Sequence, residues 1–385
     1  MGLFSSQSKR EITLVFDVRD ARLTVAAVAF EEGKKPDMLS CRDFAIPVIA
    51  PDDHDKHLAA MLATVDQAAL DARRMLAETG VREHVGAQYF FFGSPWVMSQ
   101  AKTIRVAKDR PFSIDAGFLK KVLLGEESSM MNILTRRSGI RDWQVIEEKV
   151  LESRLNGYAV GNIIGKQAVN CEIDTYVSFA PVALARRLPA HAARRGSALL
   201  AAHSFIRAAY PEIRDFIYVD MNDFVTDVLA VRGGTVAATA SFPSGARRII
   251  ESASTKSARP KGLVASAVAI RRIGNYEALS RKKMEAPIDA AVETWEKELA
   301  GTIAAMCPSG APKTVFIAPK TDIGHFAAEE MSGAKGNPFH AGDGPADVVT
   351  IGDDMFIARI GNAQAFPGDP DVKMNIAFCE RLRAK

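Results

Sequence analysis

Two strand–turn–strand segments, about 200 residues apart, most constrain what this chain can fold into. In "EITLVFDVRDARLTVAAVAF", apolar residues alternate from Ile12 to Val18, a short polar turn follows, and a second apolar run returns. Residues 216–234, "FIYVDMNDFVTDVLAVRGG", repeat this arrangement. Such patterns predict β-hairpins, and each is followed by segments with helical and strand spacing. The sequence therefore predicts an internally duplicated α/β protein.

Composition narrows the class of protein. The 385 residues include 49 basic and 46 acidic side chains, which argues against a dedicated nucleic-acid binder. The four cysteines lie far apart without paired metal-ligand spacing, so we expect no metal site and a reducing, cytoplasmic location. No run approaches the roughly 18–20 apolar residues that a membrane span requires. The first ten residues lack the apolar segment of a signal peptide.

The segments outside the hairpins give a coarse element order. Apolar spacing predicts a helix over 52–79, with Ser113 capping a second helix. It then predicts strands at 143–155 and 168–178, and an Ala- and Arg-rich helical segment over 180–209. The region after the second hairpin is predicted to contain a helical stretch at about 245–305, a strand "TVFIA", a strand pair near 347–360 and a terminal helix.

One long motif is similar to a known family. Residues 150–178, "VLESRLNGYAVGNIIGKQAVNCEIDTYVS", resemble a strand–loop–strand of the bacterial branch of the actin and Hsp70 superfamily that includes FtsA and PilM. In that branch a variable loop ends in Asn-x-x-Gly, matched by Asn162 and Gly165, before a strand carrying Glu, matched by Glu172. In "SFPSGARRI", Ser244 and Gly245 stand where a Gly-Gly pair is usual.

The resemblance implies an actin-like α/β fold of two ribonuclease-H-like lobes with an inserted small α+β (SHS2-like) subdomain. It divides the chain into four parts: 1–98 and 180–212 for the first lobe, 99–179 for the insert, and 213–385 for the second lobe. In relatives the two lobes close on a nucleotide. The fold prediction thus raises the question of whether this chain binds one.

The first phosphate loop of the family follows a strand-end aspartate with glycine and small hydroxyl residues. Asp17 matches the aspartate, but Arg19, Asp20 and Ala21 stand in the following positions. Small residues are needed there because they let backbone N–H groups approach phosphate oxygens. Arg19 and Arg22 offer positive charge, whereas Asp20 would repel phosphate by roughly 4 kcal/mol at 4 Å and an effective dielectric of about 20.

The other two nucleotide motifs are altered in the same direction. Asp220, Thr226 and Asp227 match the second loop, but its glycines are replaced by Asn222, Asp223 and Phe224. An alternative interpretation is that the two aspartates serve only the hairpin. In the third motif, "FIAPKTDIGHF", the glycine positions hold Pro319 and Lys320, and Gly324 alone corresponds.

These substitutions predict a vestigial nucleotide cleft without a catalytic residue. Its predicted members are Asp17, Arg19, Arg22, Asp220, Thr226, Asp227 and Gly324. No cofactor is expected, although binding of ATP with magnesium stays open. The resemblance implies an actin-like scaffold of the FtsA or PilM type, acting in cell division or pilus assembly through protein partners. The alternatives are an active ATP-dependent assembly protein that uses Arg19 or Arg22, and a sugar-kinase-like enzyme.

The C-terminal segment raises the question of membrane contact. Asp369 and Pro370 are predicted to begin a helix with an apolar stripe of Met374, Phe378 and Leu382. FtsA-like proteins can end in a membrane-binding helix after a flexible linker, but no such linker is visible here. We therefore expect this helix to dock on the folded body. Membrane association would then be indirect, through an inner-membrane partner, and self-association stays open.

Overall fold

Two five-stranded sheets with the same strand order form the frame of the molecule. The computed structural model describes residues 10–47, 54–78, 80, 85–138, 140, 142–188, 193–273, 278–332, 340–341 and 344–383. In chain order, the first half contains β1 (Glu11–Val18), β2 (Arg22–Phe30), β3 (Asp37–Ala45), α1 (His54–Glu78), β4 (Val85–Phe92), β5 (Met98–Ile114), α2 (Ala116–Ser138), β6 (Trp143–Leu155), β7 (Tyr158–Ala159), β8 (Lys166–Pro181), α3 (Val182–Arg187), β9 (Ala193–Ser197) and α4 (Ala198–Ala209). The second half contains β10 (Phe216–Met221), β11 (Thr226–Arg232), β12 (Thr235–Phe242), α5 (Ala246–Ser257), α6 (Lys261–Ile273), α7 (Ala278–Met306), β13 (Thr314–Ile317), α8 (Asp322–Ser332), β14 (His340–Ala341), β15 (Gly344–Pro345), β16 (Asp347–Thr350), α9 (Asp354–Ile357) and α10 (Pro370–Arg383).

The two sheets repeat one topology. The first has the order β3-β2-β1-β4-β9, and the second has the order β12-β11-β10-β13-β16. In each, the first strand is antiparallel to its hairpin partner and parallel to the strand that follows the helical crossover. This is the arrangement of a ribonuclease-H-like unit. The predicted duplication into two such units is therefore confirmed. The first lobe contains the sheet of β1, and the second lobe contains the sheet of β10.

The central strands are buried on both faces because helices cover both sides of each sheet. Every residue of β10 is buried, and β1 is buried from Ile12 to Val18. Helices α4 and α10 lie between the two sheets and share one core cluster with both. The terminal helix thus docks on the body, as predicted. Helix α10 packs on α4 and β1 of the first lobe, although it lies in the range assigned to the second. The predicted domain boundaries stay predictions.

An inserted module separates β4 from β9. Its antiparallel sheet has the order β5-β8-β6-β7, and α2 packs on one face through a cluster that includes Ile104 and Ile173. On this sheet Glu172 forms ion pairs with Arg105 and Arg154. Gly165 has a φ of +80°, which glycine adopts readily. The SHS2-like identity of this module stays a prediction.

Three sequence predictions of local structure are wrong. The segment predicted to be helical over 180–209 contains β9, a strand that completes the first sheet beside β4. The cap of α2 is Asp115, whose Oδ1 accepts the Phe118 N–H at 2.6 Å, because β5 continues through Ser113 to Ile114. The strand pair predicted near 347–360 is β16 followed by the short helix α9.

The predicted helix at 52–79 is confirmed over its described part as α1, and the predicted helical stretch at 245–305 consists of α5, α6 and most of α7. Within the residues that the structure describes, no helix combines the length and apolar character needed to cross a bilayer.

Candidate functional site

Three of the predicted cleft residues, Asp17, Arg19 and Asp220, meet where the carboxyl ends of β1 and β10 face each other. The β1–β2 turn supplies Arg19 and Asp20, and β10 supplies Asp220. Two further charged residues reach the same point: Lys320 from the loop after β13, and Asp371 from the first turn of α10. Arg19, Lys320, Asp17, Asp220 and Asp371 are called the charged cluster below.

Arg19 lies at the centre of this cluster and is only 2% exposed. Its Nε donates to Asp17 Oδ2 at 2.8 Å, its Nη2 lies 3.1 Å from Asp371 Oδ2, and its Nη1 pairs with Asp220. Burial by itself would lower the pKa of this guanidinium, but the three carboxylates outweigh it and raise the pKa. The arginine that sequence analysis offered for an external anion is thus paired internally.

Lys320 supplies a second internal cation. Its Nζ donates to Asp220 Oδ1 at 2.7 Å and to Asn222 Oδ1 at 2.8 Å, and it also pairs with Asp371. Burial would raise the pKa of Asp220, but Arg19 and Lys320 together lower it. The pKa of Asp371 is instead raised, first by burial and also by the neighbouring Asp220. Two cations therefore face three carboxylates, which favours a proton on one of them.

Asp20 satisfies the backbone donors of the second turn. Its carboxylate accepts the N–H groups of Phe224 at 2.6 Å, Val225 at 3.0 Å and Asp223 at 3.3 Å, and also that of Ala21 at 2.7 Å. Burial is the largest of the effects that raise its pKa to about 6. The resemblance noted in the sequence implies that this turn would present donors to phosphate. Here a carboxylate from the opposite lobe accepts them.

Backbone N–H groups at the start of α5 also have hydrogen-bond partners within the chain. The N–H groups of Ala246 and Arg247 each donate at 2.8 Å, to the carbonyl oxygens of Asn222 and Asp223 respectively. A Cβ atom at Gly245 would lie 2.4 Å from the Asn222 oxygen, so only glycine allows this close approach. These two first-turn donors of α5 are therefore bonded to the chain itself.

Thr226 and Asp227 hold structural contacts. Asp227 accepts hydrogen bonds from the Ser94 N–H at 3.1 Å and the Ser94 Oγ at 2.6 Å, and so joins the second lobe to the first. Thr226 Oγ1 donates to the Ser244 carbonyl at 2.5 Å and accepts from the Trp295 Nε1 at 3.0 Å. Asp227 and Asp220 thus have partners outside their hairpin, Ser94 for Asp227 and Arg19 for Asp220, so the alternative that the two aspartates serve only the hairpin does not describe them.

The structure does not bring Arg22 or Gly324 into the cluster. Arg22 lies beside it, with its Nη2 3.6 Å from Asp369 Oδ2 and its side chain 22% exposed. Gly324 lies in the first turn of α8, where its N–H donates to Thr321 Oγ1 at 3.2 Å. Both predicted site residues thus have local roles at the border of the cluster.

Sequence reasoning missed two members of this region on α10. Asp371 is fully buried, and the Nδ2 of Asn375, which is also buried, donates to Asp17 Oδ1 at 2.8 Å. The predicted cap is confirmed, since Asp369 Oδ1 accepts the Asp371 N–H at 3.0 Å. Asp371 and Asn375 lie in a helix that the sequence predicts to dock on the body, and buried polar groups need hydrogen-bond partners. This combination could have indicated that both residues contact other polar groups.

The carboxylates that could hold magnesium are engaged within the protein. Oxygen atoms of Asp17, Asp369 and Asp371 lie within 4.8 Å of one another, and carboxylates are the ligands that Mg²⁺ prefers. Each of them, however, is already engaged, Asp17 and Asp371 by Arg19 and Asp369 by the Thr24 hydroxyl. The backbone donors for phosphate are engaged as well.

An apolar cavity of about 460 Å³ remains beside the second turn. It lies between α5, α6 and the start of α8, and is lined by residues that include Ile250, Val268 and Ile323. A cavity of this volume is large enough for a small molecule. The backbone donors of the second turn are thus engaged by Asp20, while the neighbouring cavity stays open.

Comparison with known proteins identifies the fold. No family model and no curated protein matches the sequence. Among solved structures, a chain of the PilM–PilN type IV pilus biogenesis complex has a TM-score of 0.61 at 13% identity, with 96% of this chain and 98% of that chain covered.

Two further structures are similar over nearly the whole chain. The ethanolamine utilization protein EutJ of Carboxydothermus hydrogenoformans has a TM-score of 0.46 at 10% identity, with 97% of this chain and 91% of that chain covered. A Bacteroides thetaiotaomicron protein with an actin-like ATPase fold has a TM-score of 0.44 at 8% identity, with 95% and 97% covered. The paired sheets and the full-length similarity to the pilus complex chain together show that this protein has the actin-like fold and resembles PilM.

Proposed function

We propose that this protein is an actin-like scaffold that binds protein partners in the cytoplasm and does not turn over ATP. The observation that carries the proposal is that, at both candidate phosphate loops, side chains of the protein make the contacts that a bound nucleotide would make. Asp20 accepts the backbone donors of the second turn, and Arg19 neutralises the strand-end aspartates Asp17 and Asp220. The same contacts join the two lobes without a nucleotide.

The partner class follows from the structural similarity. A chain with the same fold occurs in a complex with a partner in pilus biogenesis, and we propose a comparable inner-membrane assembly partner, of a pilus or a division system, for this protein. Its contact with the membrane would then be indirect. A cavity of about 300 Å³ between the inserted module and the first lobe, lined by Met131, Asp142, Trp143, Val182 and Arg186, is a suitable place for a peptide side chain.

We expect Arg186→Glu to reduce the recovery of this partner by about tenfold, because it reverses an exposed charge in the lining of the cavity. The measurement is cross-linking and affinity capture from the source cells with the full-length protein. Arg187→Glu is the matched control, since this neighbouring arginine is also exposed but does not line the cavity. Equal loss with both variants would contradict the assignment of this cavity, and recovery that requires ATP would contradict the scaffold.

A second candidate is an ATP-dependent assembly protein of the same fold. The specific observation in its favour is the open apolar cavity beside α5 and α8, which would accommodate a nucleobase. This candidate requires phosphate to displace Asp20 from the N–H groups of Phe224 and Val225. The two candidates differ most directly in nucleotide affinity.

A further inference from the structure

A small polar cavity lies where the inserted module meets the two lobes. Its volume is about 20 Å³, which is enough for one particle of the size of a water molecule. All three parts of the molecule contribute oxygen-bearing side chains to its lining: Ser99 from the module, Ser94 and Ser197 from the first lobe, and Asp227, Thr239 and Ser241 from the second. This space is called the hydroxyl cavity below.

Asp227 is the charged member of this lining, and it is only 1% exposed. Its carboxylate accepts hydrogen bonds from the Ser94 N–H and from the hydroxyls of Ser94 and Ser241. In the part of the chain that the structure describes, no basic side chain forms an ion pair with it, and Arg19 and Lys320 pair with Asp220 instead. A buried charge is normally compensated by an opposite charge or by a metal ion.

The surroundings of Asp227 also carry an excess of negative charge. Asp220 is its partner across the β10–β11 hairpin, and after burial it is the largest cause that raises the pKa of Asp227. The charged cluster and Asp227 together contain four carboxylates but two cations. Even with one of these carboxylates protonated, one negative charge has no partner among them. The electrostatic potential at the hydroxyl cavity therefore favours a cation.

The hydroxyl groups around the cavity already donate their protons to acceptors of the protein. Ser94 and Ser241 donate to Asp227, and Thr239 Oγ1 donates to the Ser99 carbonyl at 2.6 Å. A hydroxyl has one proton and two lone pairs, so these oxygens can offer only lone pairs to a ligand. Several neutral oxygens and one carboxylate form a suitable set of ligands for a cation of low charge.

The volume of the cavity decides between the common cations. Mg²⁺ loses its water reluctantly and usually keeps several water molecules, for which about 20 Å³ is too small. K⁺ exchanges its hydration shell for protein oxygens more readily, and it is close in size to a water molecule. Ser241 is exposed, which gives an ion a path from solvent.

We propose that the hydroxyl cavity binds K⁺ between the Asp227 carboxylate and the hydroxyl oxygens of Ser94, Thr239 and Ser241, and that the ion helps to join the two lobes. The proposal goes beyond the scaffold function, because it assigns a ligand to a site between the lobes. It does not depend on nucleotide binding or on the partner, so its failure would leave those tests unaffected.

The test is the melting temperature of the full-length protein in KCl, NaCl and choline chloride at equal ionic strength, without nucleotide or divalent ions. Choline is too large for the cavity. We expect Tm to be about 3 °C higher in KCl than in choline chloride, at a K⁺ concentration about tenfold above Kd, and to rise less in NaCl. Asp227→Asn should abolish the difference between the salts, because it keeps the shape of the side chain and removes its charge.

Asp215→Asn is the matched control, since Asp215 is 52% exposed and does not line the cavity. This variant should keep the full response to K⁺. Thr239→Val supplies a second variant that leaves Asp227 in place. It removes one ligand oxygen with little change of shape, and it should raise the K⁺ concentration at half-maximal stabilisation by about tenfold.

Crystals soaked with Tl⁺, an analogue of K⁺, give a direct readout. We expect an anomalous density peak in the hydroxyl cavity, in contact with Asp227. Equal melting temperatures in KCl and choline chloride, an undiminished K⁺ response in Asp227→Asn and Thr239→Val, or the lack of a Tl⁺ peak in the cavity would each overturn the proposal. Stabilisation by NaCl as large as that by KCl would overturn the assignment to K⁺.

Discussion

Replacing Arg19 with alanine is expected to lower the free energy of unfolding by about 3–5 kcal/mol. The change removes the cation that contacts Asp17, Asp220 and Asp371 and leaves Lys320 alone beside three buried carboxylates. An uncompensated charge in a buried site is costly, whereas the intact pair is close to neutral in its effect. The measurement is chemical denaturation at neutral pH, read as the shift in midpoint and slope.

Arg42→Ala is the matched control for this experiment. Arg42 is 57% exposed and lies 3.9 Å from Asp71, so its loss should cost less than about 1 kcal/mol. A comparably small effect of Arg19→Ala would contradict the role of the charged cluster in joining the lobes.

The effect of Arg19→Ala should also depend on pH. The pKa of Asp220 is lowered in the folded protein, so its ionised form stabilises the fold above the ordinary pKa of 3.8. This contribution is lost as the pH falls through the folded pKa. We therefore expect the difference in stability between wild type and Arg19→Ala to decrease below about pH 4.

The second large effect is expected for Phe378→Asp, which should lower the free energy of unfolding by about 5 kcal/mol or prevent folding. Phe378 is 3% exposed on α10, and its ring centroid lies 5.8 Å from that of Phe91 in an edge-on contact. The substitution removes this packing and places a carboxylate in the core between the sheets. Thermal unfolding and expression in soluble form measure the effect.

Leu70→Asp is the control, because Leu70 lies on α1 and is 58% exposed. It should change stability by no more than about 0.5 kcal/mol. If Phe378→Asp instead left the melting temperature unchanged and abolished flotation of the protein with anionic liposomes, α10 would be a membrane anchor and its docked position would be wrong.

The fold was predictable from sequence where the signals are local. The two hairpins were identified because alternation and turn chemistry are properties of adjacent residues, and their repetition predicted two similar sheets. Strand β9 was missed because "ARRGS" has no β-branched or aromatic residue. It is a strand because β4 offers a free edge beside it, which is a tertiary cause.

The site was predictable only as a set of altered motifs. Sequence analysis found Asp17, Arg19 and Asp220, but treated Lys320 only as a lost glycine and Asp371 only as part of a terminal helix. Their roles arise when chain segments about 100 to 350 residues apart meet, as between Lys320 and Asp220 or between Asp371 and Arg19. The contact of Asp20 with the second turn was equally invisible, because it joins the two lobes.

The central claim is that side chains of this protein occupy the positions that the resemblance to actin-like proteins assigns to the phosphates of a nucleotide. Titration of the wild-type protein with ATP and magnesium by isothermal calorimetry tests it most directly. We predict no binding heat, which corresponds to a Kd weaker than about 1 mM. A Kd in the micromolar range would contradict the claim, and its loss in Arg22→Ala would favour the ATP-dependent assembly protein instead.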